Sequence, residues 1–421
     1  MKINILNNRS DFIKNLIKLG AGTSIAQAIP FLFTPVLSRL YEPSQYGDFA
    51  LFMSIIGVIG VISTLRYEMA IITSKTNDEA KAVLKLSFII LFLISLLSYV
   101  STIVFISDGI FSNITNTVFH LSFIGIFLIG ATNIFQHWFN RCGKYSLIAK
   151  AKVATSLANV LFSILLGYIG FINYGLIFGA LIGSLVFFSF FIYSYLKENN
   201  LKKEFNLQSI KTVAKKHKDF PRFNTIQALL DTLQLNGILY LLTVYFNSTI
   251  IGFYAFAIKV LQAPMWLIGT SIAQIFYKEA SFNFNDKKDL TPILKKSMLI
   301  SFIFSLPISL IILFFGSYIF SVIFGVEWEN SGKYASILVP FFFTDLIKYT
   351  ISQTLIIVGK VKHLLFISIF ANIIIVLSII IGGWYYKDIT ITFYALSISM
   401  TVFNVIVISW IYFSIKRKIW T

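Results

Sequence analysis

The sequence predicts an all-α integral membrane protein with twelve transmembrane helices in two six-helix lobes around a central cavity. Of its 421 residues, 57% are apolar and only 13% are charged, and the mean hydropathy is +0.80, a composition typical of membrane proteins. Uncharged runs of about 20 residues, the length that crosses a bilayer as a helix, recur along the chain. These runs are apolar on every face, whereas a membrane β-barrel requires alternating polar and apolar residues.

The predicted spans follow one another closely along the chain. The stretch between Lys152 and Lys197 contains no charged residue and is too long for one helix, so it must hold two spans. In the first half we predict spans at 17–38, 48–72, 84–106, 118–138, 150–169 and 174–196. In the second half we predict spans at 223–246, 252–276, 297–320, 334–357, 364–384 and 391–414.

Basic residues concentrate in alternate connecting segments and so predict the orientation of the chain. The side rich in lysine and arginine should be cytoplasmic, whereas the opposite loops carry only Arg39, Lys333 and Lys387 as basic residues. Both termini are therefore expected in the cytoplasm. The first apolar run begins after Lys18 and lacks a small-residue cleavage site, so we interpret it as a retained span.

The longest connection divides the chain after the sixth span. We predict an N-terminal lobe at 1–196, a lysine-rich cytoplasmic linker at 197–222 and a C-terminal lobe at 223–421. Six spans per lobe restore the same orientation, so the lobes would be parallel repeats. Two short echoes support the repeat: Gly47-Asp-Phe-Ala50 with Gly252-Phe-Tyr-Ala255, and Gly143-Lys144 with Gly359-Lys360.

Charge and residue counts exclude several classes of function. The net charge of +17 comes from basic residues between apolar runs, without the interleaved aromatics that bind nucleic acid, so no nucleic-acid partner is expected. The single cysteine, Cys142, cannot form an internal disulfide. The four histidines have no metal-ligand spacing, and no Gly-rich phosphate loop is present. We expect neither an enzyme nor a bound cofactor or metal.

Charged residues inside the predicted spans are the candidate functional residues. Placing each charged side chain in the hydrocarbon costs at least about 2.5 to 3.5 kcal/mol, so each is expected to have a functional role. Three are cations and three are anions, which indicates a buried cavity of mixed charge. Arg66, Lys259 and Lys348 would be the substrate-binding cations, and Glu68, Asp231 and Asp345 would be the counter-charges or coupling groups.

Structural alternatives compete with this interpretation. Arg66 and Glu68 are two residues apart and would point about 160° apart on a helix, so each would need its own partner. They could instead both reach the cytoplasmic interface. Asp345 and Lys348 are three apart and could simply neutralise one another. Asp231 and Lys259 lie on adjacent spans and could form an interhelical pair.

Residues 28–72, "AIPFLFTPVLSRLYEPSQYGDFALFMSIIGVIGVISTLRYEMAII", closely resemble the Wzx-type polysaccharide or O-antigen flippases of the multidrug/oligosaccharidyl-lipid/polysaccharide (MOP) exporter superfamily. This segment combines Arg39, a turn from Pro43 to Gly47, and the Arg66-x-Glu68 motif; we interpret Arg39, Pro43 and Gly47 as gate or turn residues. Weaker resemblance continues in "KDFPRFN" at 218–224, "GFYAFAIKVLQAPMWLIGTSIAQIFY" at 252–277 and "FGVEWENSGKYA" at 324–335.

The resemblance implies a flippase of the bacterial cytoplasmic (inner) membrane. Such a protein moves undecaprenyl-diphosphate-linked oligosaccharide repeat units from the cytoplasmic to the outer leaflet by alternating access, for O-antigen or polysaccharide biosynthesis. Its partners would be the lipid-linked oligosaccharide and membrane lipid, with polysaccharide polymerase and chain-length machinery as candidates, and it would act as a monomer. A cation-coupled drug or organic-cation antiporter of the same superfamily is the main alternative, although it should favour an acid-dominated cavity. A lipid-linked peptidoglycan-precursor flippase would share the topology.

Overall fold

The computed structural model describes residues 8–107, 116–198 and 207–417, and these residues form fifteen α-helices joined by short segments without any assigned β-strand. The first nine are α1 Asn8–Leu32, α2 Thr34–Leu40, α3 Pro43–Ile62, α4 Ala70–Thr73, α5 Asn77–Ser107, α6 Asn116–Arg141, α7 Tyr145–Tyr168, α8 Gly175–Glu198 and α9 Leu207–Lys216. The others are α10 Thr225–Tyr245, α11 Ser248–Asn285, α12 Thr291–Phe324, α13 Glu329–Ile357, α14 Val361–Ile380 and α15 Ile389–Lys416.

The helices confirm the predicted all-α membrane class. Within the residues that the structure describes, 11 helical segments are long and apolar enough to cross a bilayer. The seventh predicted span, 223–246, corresponds to α10, whose apolar described stretch, Asn236–Tyr245, is shorter. The predicted count of twelve is thus close to the observed set.

The chain divides into two compact units, Met1–Gly237 and Ile238–Thr421. This boundary falls inside α10, whereas the sequence suggested a linker at 197–222 between lobes at 1–196 and 223–421; those lobe limits stay a prediction. Part of the linker is the short helix α9, which belongs to the first unit. Ile210 and Val213 of α9 are buried in one apolar cluster with Ala80 and Val83 of α5, so α9 packs on the first unit.

Aromatic packing and small residues hold the first unit together. Phe139 and Phe191 join α6 to α8 with ring centroids 5.0 Å apart. Gly179 and Gly183, one helical turn apart on α8, lie directly against the backbone of α7 at Asn159. Glycine at this spacing lets two membrane helices approach closely.

Aromatic packing and close contacts at glycine also hold the helices of the second unit together. Phe256 of α11 stacks on the fully buried Trp328 with ring centroids 4.0 Å apart. Gly316 of α12 faces Gly332 of α13, and a side chain at either position would collide with the other helix. α11 is a single helix of 38 residues that continues through Pro264, so the predicted eighth span is embedded in a longer element.

The Gly-Lys echo corresponds to the same backbone motif in both units. Gly143 and Gly359 follow the ends of α6 and α13 with φ of 69° and 72°. In each case the glycine N–H bonds back to the carbonyl three residues earlier, and the following lysine N–H bonds back five residues, at 2.9 Å for Lys144 and 2.7 Å for Lys360. This pattern is the Schellman helix end, for which glycine is preferred because it adopts positive φ without strain.

Candidate functional site

The second predicted span is broken where its charged residues begin. α3 ends at Ile62, and the chain then passes through two non-glycine residues in the left-handed region, Leu65 at φ 49° and Arg66 at φ 60°. A 3₁₀ turn at Tyr67–Met69 and the short α4 follow. The expectation of one continuous helix over 48–72 is therefore wrong from residue 63 onward.

Side-chain hydroxyl groups form hydrogen bonds where the helix ends. The Ser63 side chain donates to the Gly60 carbonyl at 2.7 Å, and the Thr64 side chain donates to Glu68. Serine and threonine side chains of this kind compete with the backbone hydrogen bonds that would continue the helix. We refer to residues 63–69 as the Arg66 turn.

The Arg66 turn brings together two charges that the sequence analysis placed apart. Nη1 of Arg66 lies 3.6 Å from Oε1 of Glu68, while the Thr64 hydroxyl donates to the other carboxylate oxygen. The prediction that Arg66 and Glu68 point about 160° apart and need separate partners is wrong, because helical periodicity applies only within a continuous helix.

The pair is unequally buried. The Glu68 side chain is 3% exposed, whereas the Arg66 side chain is 28% exposed. Nε of Arg66 is buried and has no hydrogen-bond partner among the described residues. The guanidinium therefore retains donor capacity beyond its ion pair, and its planar fork is suited to a phosphate oxyanion.

The Arg66 turn is held from both sides by contacts within the first unit. The Tyr67 hydroxyl donates to the Ala214 carbonyl of α9 at 3.1 Å. Downstream, Nη1 of Arg141 donates to the carbonyls of Ile71 and Ser74 at 3.1 and 2.6 Å, which places a cation at the carbonyl end of α4. These tertiary contacts fix the backbone on which Arg66 sits.

Hydrogen bonds from the residues at the end of α9 also attach this helix to α5. Oε1 of Glu79, near the start of α5, accepts hydrogen bonds from Lys216 Nζ at 2.6 Å and from His217 Nε2 at 2.9 Å. The sequence analysis missed Glu79, Tyr67 and Arg141 as site-supporting residues. No periodicity marks them, because their partners are distant in sequence.

The charged residues of the second unit are arranged differently. Asp345 and Lys348 form an ion pair at 2.6 Å on α13, with side chains that are 38% and 14% exposed. The alternative in which these two residues neutralise one another is thus the observed arrangement. Lys259 is partly buried on α11. The side chain of Asp231 lies outside the described residues, so the predicted Asp231–Lys259 pair stays a prediction.

The proposed gate residues lie at the start of the second span. Arg39 is exposed near the end of α2. Pro43 and Gly47 are buried in the first turns of α3, so the predicted turn from Pro43 to Gly47 is wrong. The break between α2 and α3 lies earlier, at Tyr41 and Glu42, and α3 begins at Pro43 because proline is preorganised for the first position of a helix. Gln45 accepts a hydrogen bond from the Glu42 backbone N–H at 2.6 Å and completes this helix start.

The fold and the site define a multi-pass, all-helical membrane protein with charged residues at and within its spans. Among the side chains that the structure describes, no group of three or more His, Cys, Asp or Glu residues could hold a metal ion.

The chain belongs to the polysaccharide biosynthesis protein family, whose model matches residues 36–333. No curated protein matches the sequence.

Solved structures share the fold at low sequence identity. A multidrug resistance MATE family transporter of the MOP superfamily, in an inward-facing conformation, is 14% identical with a TM-score of 0.71, covering 96% of this chain and 98% of that one. The lipid II flippase MurJ, in an inward closed conformation, is 17% identical with a TM-score of 0.69, covering 96% of this chain and 87% of that one. A MOP superfamily transporter from Pyrococcus furiosus is 15% identical with a TM-score of 0.54, covering 96% of each chain. The fold that the resemblance to the MOP superfamily predicted is thus confirmed.

Proposed function

We propose that the protein is a flippase that moves undecaprenyl-diphosphate-linked oligosaccharide repeat units from the cytoplasmic to the outer leaflet of the bacterial cytoplasmic membrane. Translocation is non-enzymatic and uses alternating access, and the product feeds O-antigen or other polysaccharide biosynthesis. The protein acts as a monomer without a cofactor, with both termini in the cytoplasm. A polysaccharide polymerase and chain-length machinery are its candidate partners.

The observation that carries this proposal is the arrangement of Arg66. Its guanidinium has one buried donor without a partner among the described residues and a single carboxylate at 3.6 Å, which is longer than a well-formed charge-assisted hydrogen bond. Membership of the polysaccharide biosynthesis family supports a polysaccharide precursor as the substrate. A diphosphate is the part of a lipid-linked oligosaccharide that such a cation recognises.

The position of Arg66 fits an early step of transport. Arg66 follows the candidate span Pro43–Ile62, and the adjacent Tyr67 contacts α9 in the predicted cytoplasmic linker. In the predicted orientation, the site would lie at the cytoplasmic end of the first unit, where a lipid-linked substrate would enter. In this step a phosphate oxygen would replace Oε1 of Glu68 as the partner of Arg66.

Charged residues of the second unit would continue the path. Asp345 lies near the middle of the candidate span Val326–Ile357, and its side chain is 38% exposed. A carboxylate at this depth faces water or a polar ligand rather than lipid. Lys348 and Lys259 then serve as further cations for the diphosphate, with Asp345 and Asp231 as counter-charges.

The organic-cation antiporter is the competing function, because a MATE transporter has the same fold. In that case the buried Glu68 would bind the cationic substrate, and Arg66 would act only as its counter-charge. The two functions make opposite demands on Arg66: an anionic substrate needs the guanidinium, whereas a cationic substrate is repelled by it.

The test is a flipping assay with purified protein in liposomes. A lipid-linked oligosaccharide is placed in one leaflet, and its exposure to an impermeant glycan-modifying reagent is followed with and without a proton gradient. We expect exposure that requires the protein and that falls about 10- to 100-fold in Arg66→Ala, the loss of one or more hydrogen bonds to a charged group. Arg417→Ala makes the same change at an exposed residue at the end of α15; it is the matched control and should retain full activity.

Two results would overturn the proposal. The first is exposure no faster than in empty liposomes with correctly folded protein and several repeat units tried. The second is full activity of Arg66→Ala. Uptake of an organic cation that increases in Arg66→Ala would instead support the antiporter.

A further inference from the structure

A pocket of about 690 Å³ opens in the first unit at one end of its helices, separate from the Arg66 turn. Its wall is formed by residues from the end of α4, the start of α5, the end of α6 and the start of α7. The candidate spans Asn77–Ser101, His120–Arg141 and Tyr145–Tyr168 all begin or end there. The pocket therefore lies at a membrane interface, on the side that the positive-inside rule predicts to be cytoplasmic.

The charge of the pocket is uniformly positive. Lys81 and Arg141 line it, and no carboxylate is among its lining residues. Arg141 already donates to backbone carbonyls of α4, and those acceptors carry no negative charge that would compensate it. A pocket with two cations at an interface attracts an anion.

The side chain of Trp138 in the pocket wall carries a further hydrogen-bond donor. Trp138 lines the pocket and is 5% exposed, and its indole N–H is buried without a hydrogen-bond partner among the described residues. A tryptophan N–H is a donor only and requires an acceptor. Asn77 and Asn140 add amide groups at the same wall. The wall combines two cations and two amides, and the unpartnered indole N–H of Trp138 lies beside them. Such a set suits a phosphate with hydroxyl-bearing substituents.

We propose that this pocket binds the phosphate group of an anionic phospholipid headgroup from the cytoplasmic leaflet. Basic pockets between membrane helices on the cytoplasmic side are suited to anionic headgroups. A bound headgroup would join α4 to α5, α6 and α7, and α4 directly follows the Arg66 turn. The lipid would therefore stabilise the segment that presents Arg66.

The reactivity of a native cysteine can report whether this pocket is occupied. Cys142, the single cysteine of the chain, is exposed and lines the pocket. Full-length protein is placed in nanodiscs of phosphatidylcholine, with or without phosphatidylglycerol, and the alkylation rate of Cys142 by an uncharged maleimide is measured. We expect phosphatidylglycerol to slow alkylation by about threefold or more, as when a ligand occupies the pocket about two thirds of the time.

Variants separate pocket binding from the general effect of a negative membrane surface on thiol reactivity. Each variant is measured with and without phosphatidylglycerol, so that the ratio of the two alkylation rates removes the direct effect of the substitution on Cys142. Lys81→Gln and Trp138→Phe should lose most of the protection. Lys278→Gln, an exposed lysine of α11 in the second unit, makes the same charge change and should keep it. Lys81 is only partly buried, so Lys81→Gln tests the site even where Trp138→Phe disturbs packing against Tyr195.

Three results would overturn the proposal. One is equal alkylation in both lipid compositions, and another is protection that Lys81→Gln and Lys278→Gln retain alike. The third is equal protection by soluble glycerol phosphate in phosphatidylcholine nanodiscs, which would identify a free phosphate compound as the ligand. None of these results depends on flipping, so the outcome is independent of the proposed transport activity.

Discussion

Each unit contains an ion pair between charged residues that are close in sequence, but the backbone presents the two pairs in different ways. Asp345 and Lys348 are three residues apart on the continuous helix α13, where side chains at this spacing are neighbours. Arg66 and Glu68 are two residues apart and meet only because the helix has ended and the chain has entered the left-handed region.

The difference shows which pair depends on the rest of the fold. Left-handed φ at a residue other than glycine costs on the order of 1 to 3 kcal/mol, and the Arg66 turn contains two such residues in succession. Tertiary contacts from Ala214 and Arg141 hold the turn in this conformation. The Asp345–Lys348 pair needs no such support. Strain retained around a polar pair is typical of functional sites, which favours the Arg66 turn over the Asp345–Lys348 pair as the functional site.

The largest expected effect comes from removing the acidic partner in each pair. Glu68→Ala should lower the free energy of unfolding by about 2 kcal/mol, because it leaves Arg66 without its ion pair; the value is below that for a fully buried pair since Arg66 is 28% exposed. Asp345→Ala should cost less, about 1 kcal/mol, because the Asp345 side chain is 38% exposed whereas the Glu68 side chain is 3% exposed. Thermal unfolding of both variants in the same detergent measures the difference.

Equal destabilisation by Glu68→Ala and Asp345→Ala would contradict this comparison, since it would mean that the strained turn and the regular helix support their pairs equally. Glu68→Gln provides a control that keeps the shape and a hydrogen-bond acceptor for Thr64. It should fall between wild type and Glu68→Ala.

How far the sequence could predict these features depends on whether they are local. The spans follow from apolar runs, and the Asp345–Lys348 pair follows from a spacing of three within such a run. The break at Ser63 and Thr64 occurs inside an apolar run and depends on side-chain hydroxyls and on contacts with Ala214 and Arg141. No local pattern predicts contacts across 147 residues, as between Tyr67 and Ala214. The Arg66-x-Glu68 motif could therefore be recognised in the sequence, but the backbone conformation of the Arg66 turn could not be predicted from it.

The next largest effect is expected from substitutions that keep the charge of Arg66 or Lys348 but change the shape of the side chain. Arg66→Lys keeps the positive charge but replaces the planar fork with a point charge, so we expect flipping to fall about tenfold, the loss of one charge-assisted hydrogen bond. Lys348→Arg makes the reverse exchange in a pair that requires only charge, and flipping should remain within about twofold. Initial flipping rates at matched protein density give both numbers. Full activity of Arg66→Lys would show that Arg66 acts by charge alone, like Lys348.

The smallest expected effect concerns a feature that the two units share. Gly143 and Gly359 end α6 and α13 with the same Schellman motif, and a methyl group added at either position would contact nothing within 4 Å. Gly143→Ala and Gly359→Ala therefore introduce only the strain of a positive φ, and each should lower the free energy of unfolding by about 1 kcal/mol. Thermal unfolding of the two single variants tests whether the costs agree. A marked inequality would mean that surrounding contacts, rather than the common backbone motif, determine the stability of these helix ends, and would weaken the structural support for a parallel repeat.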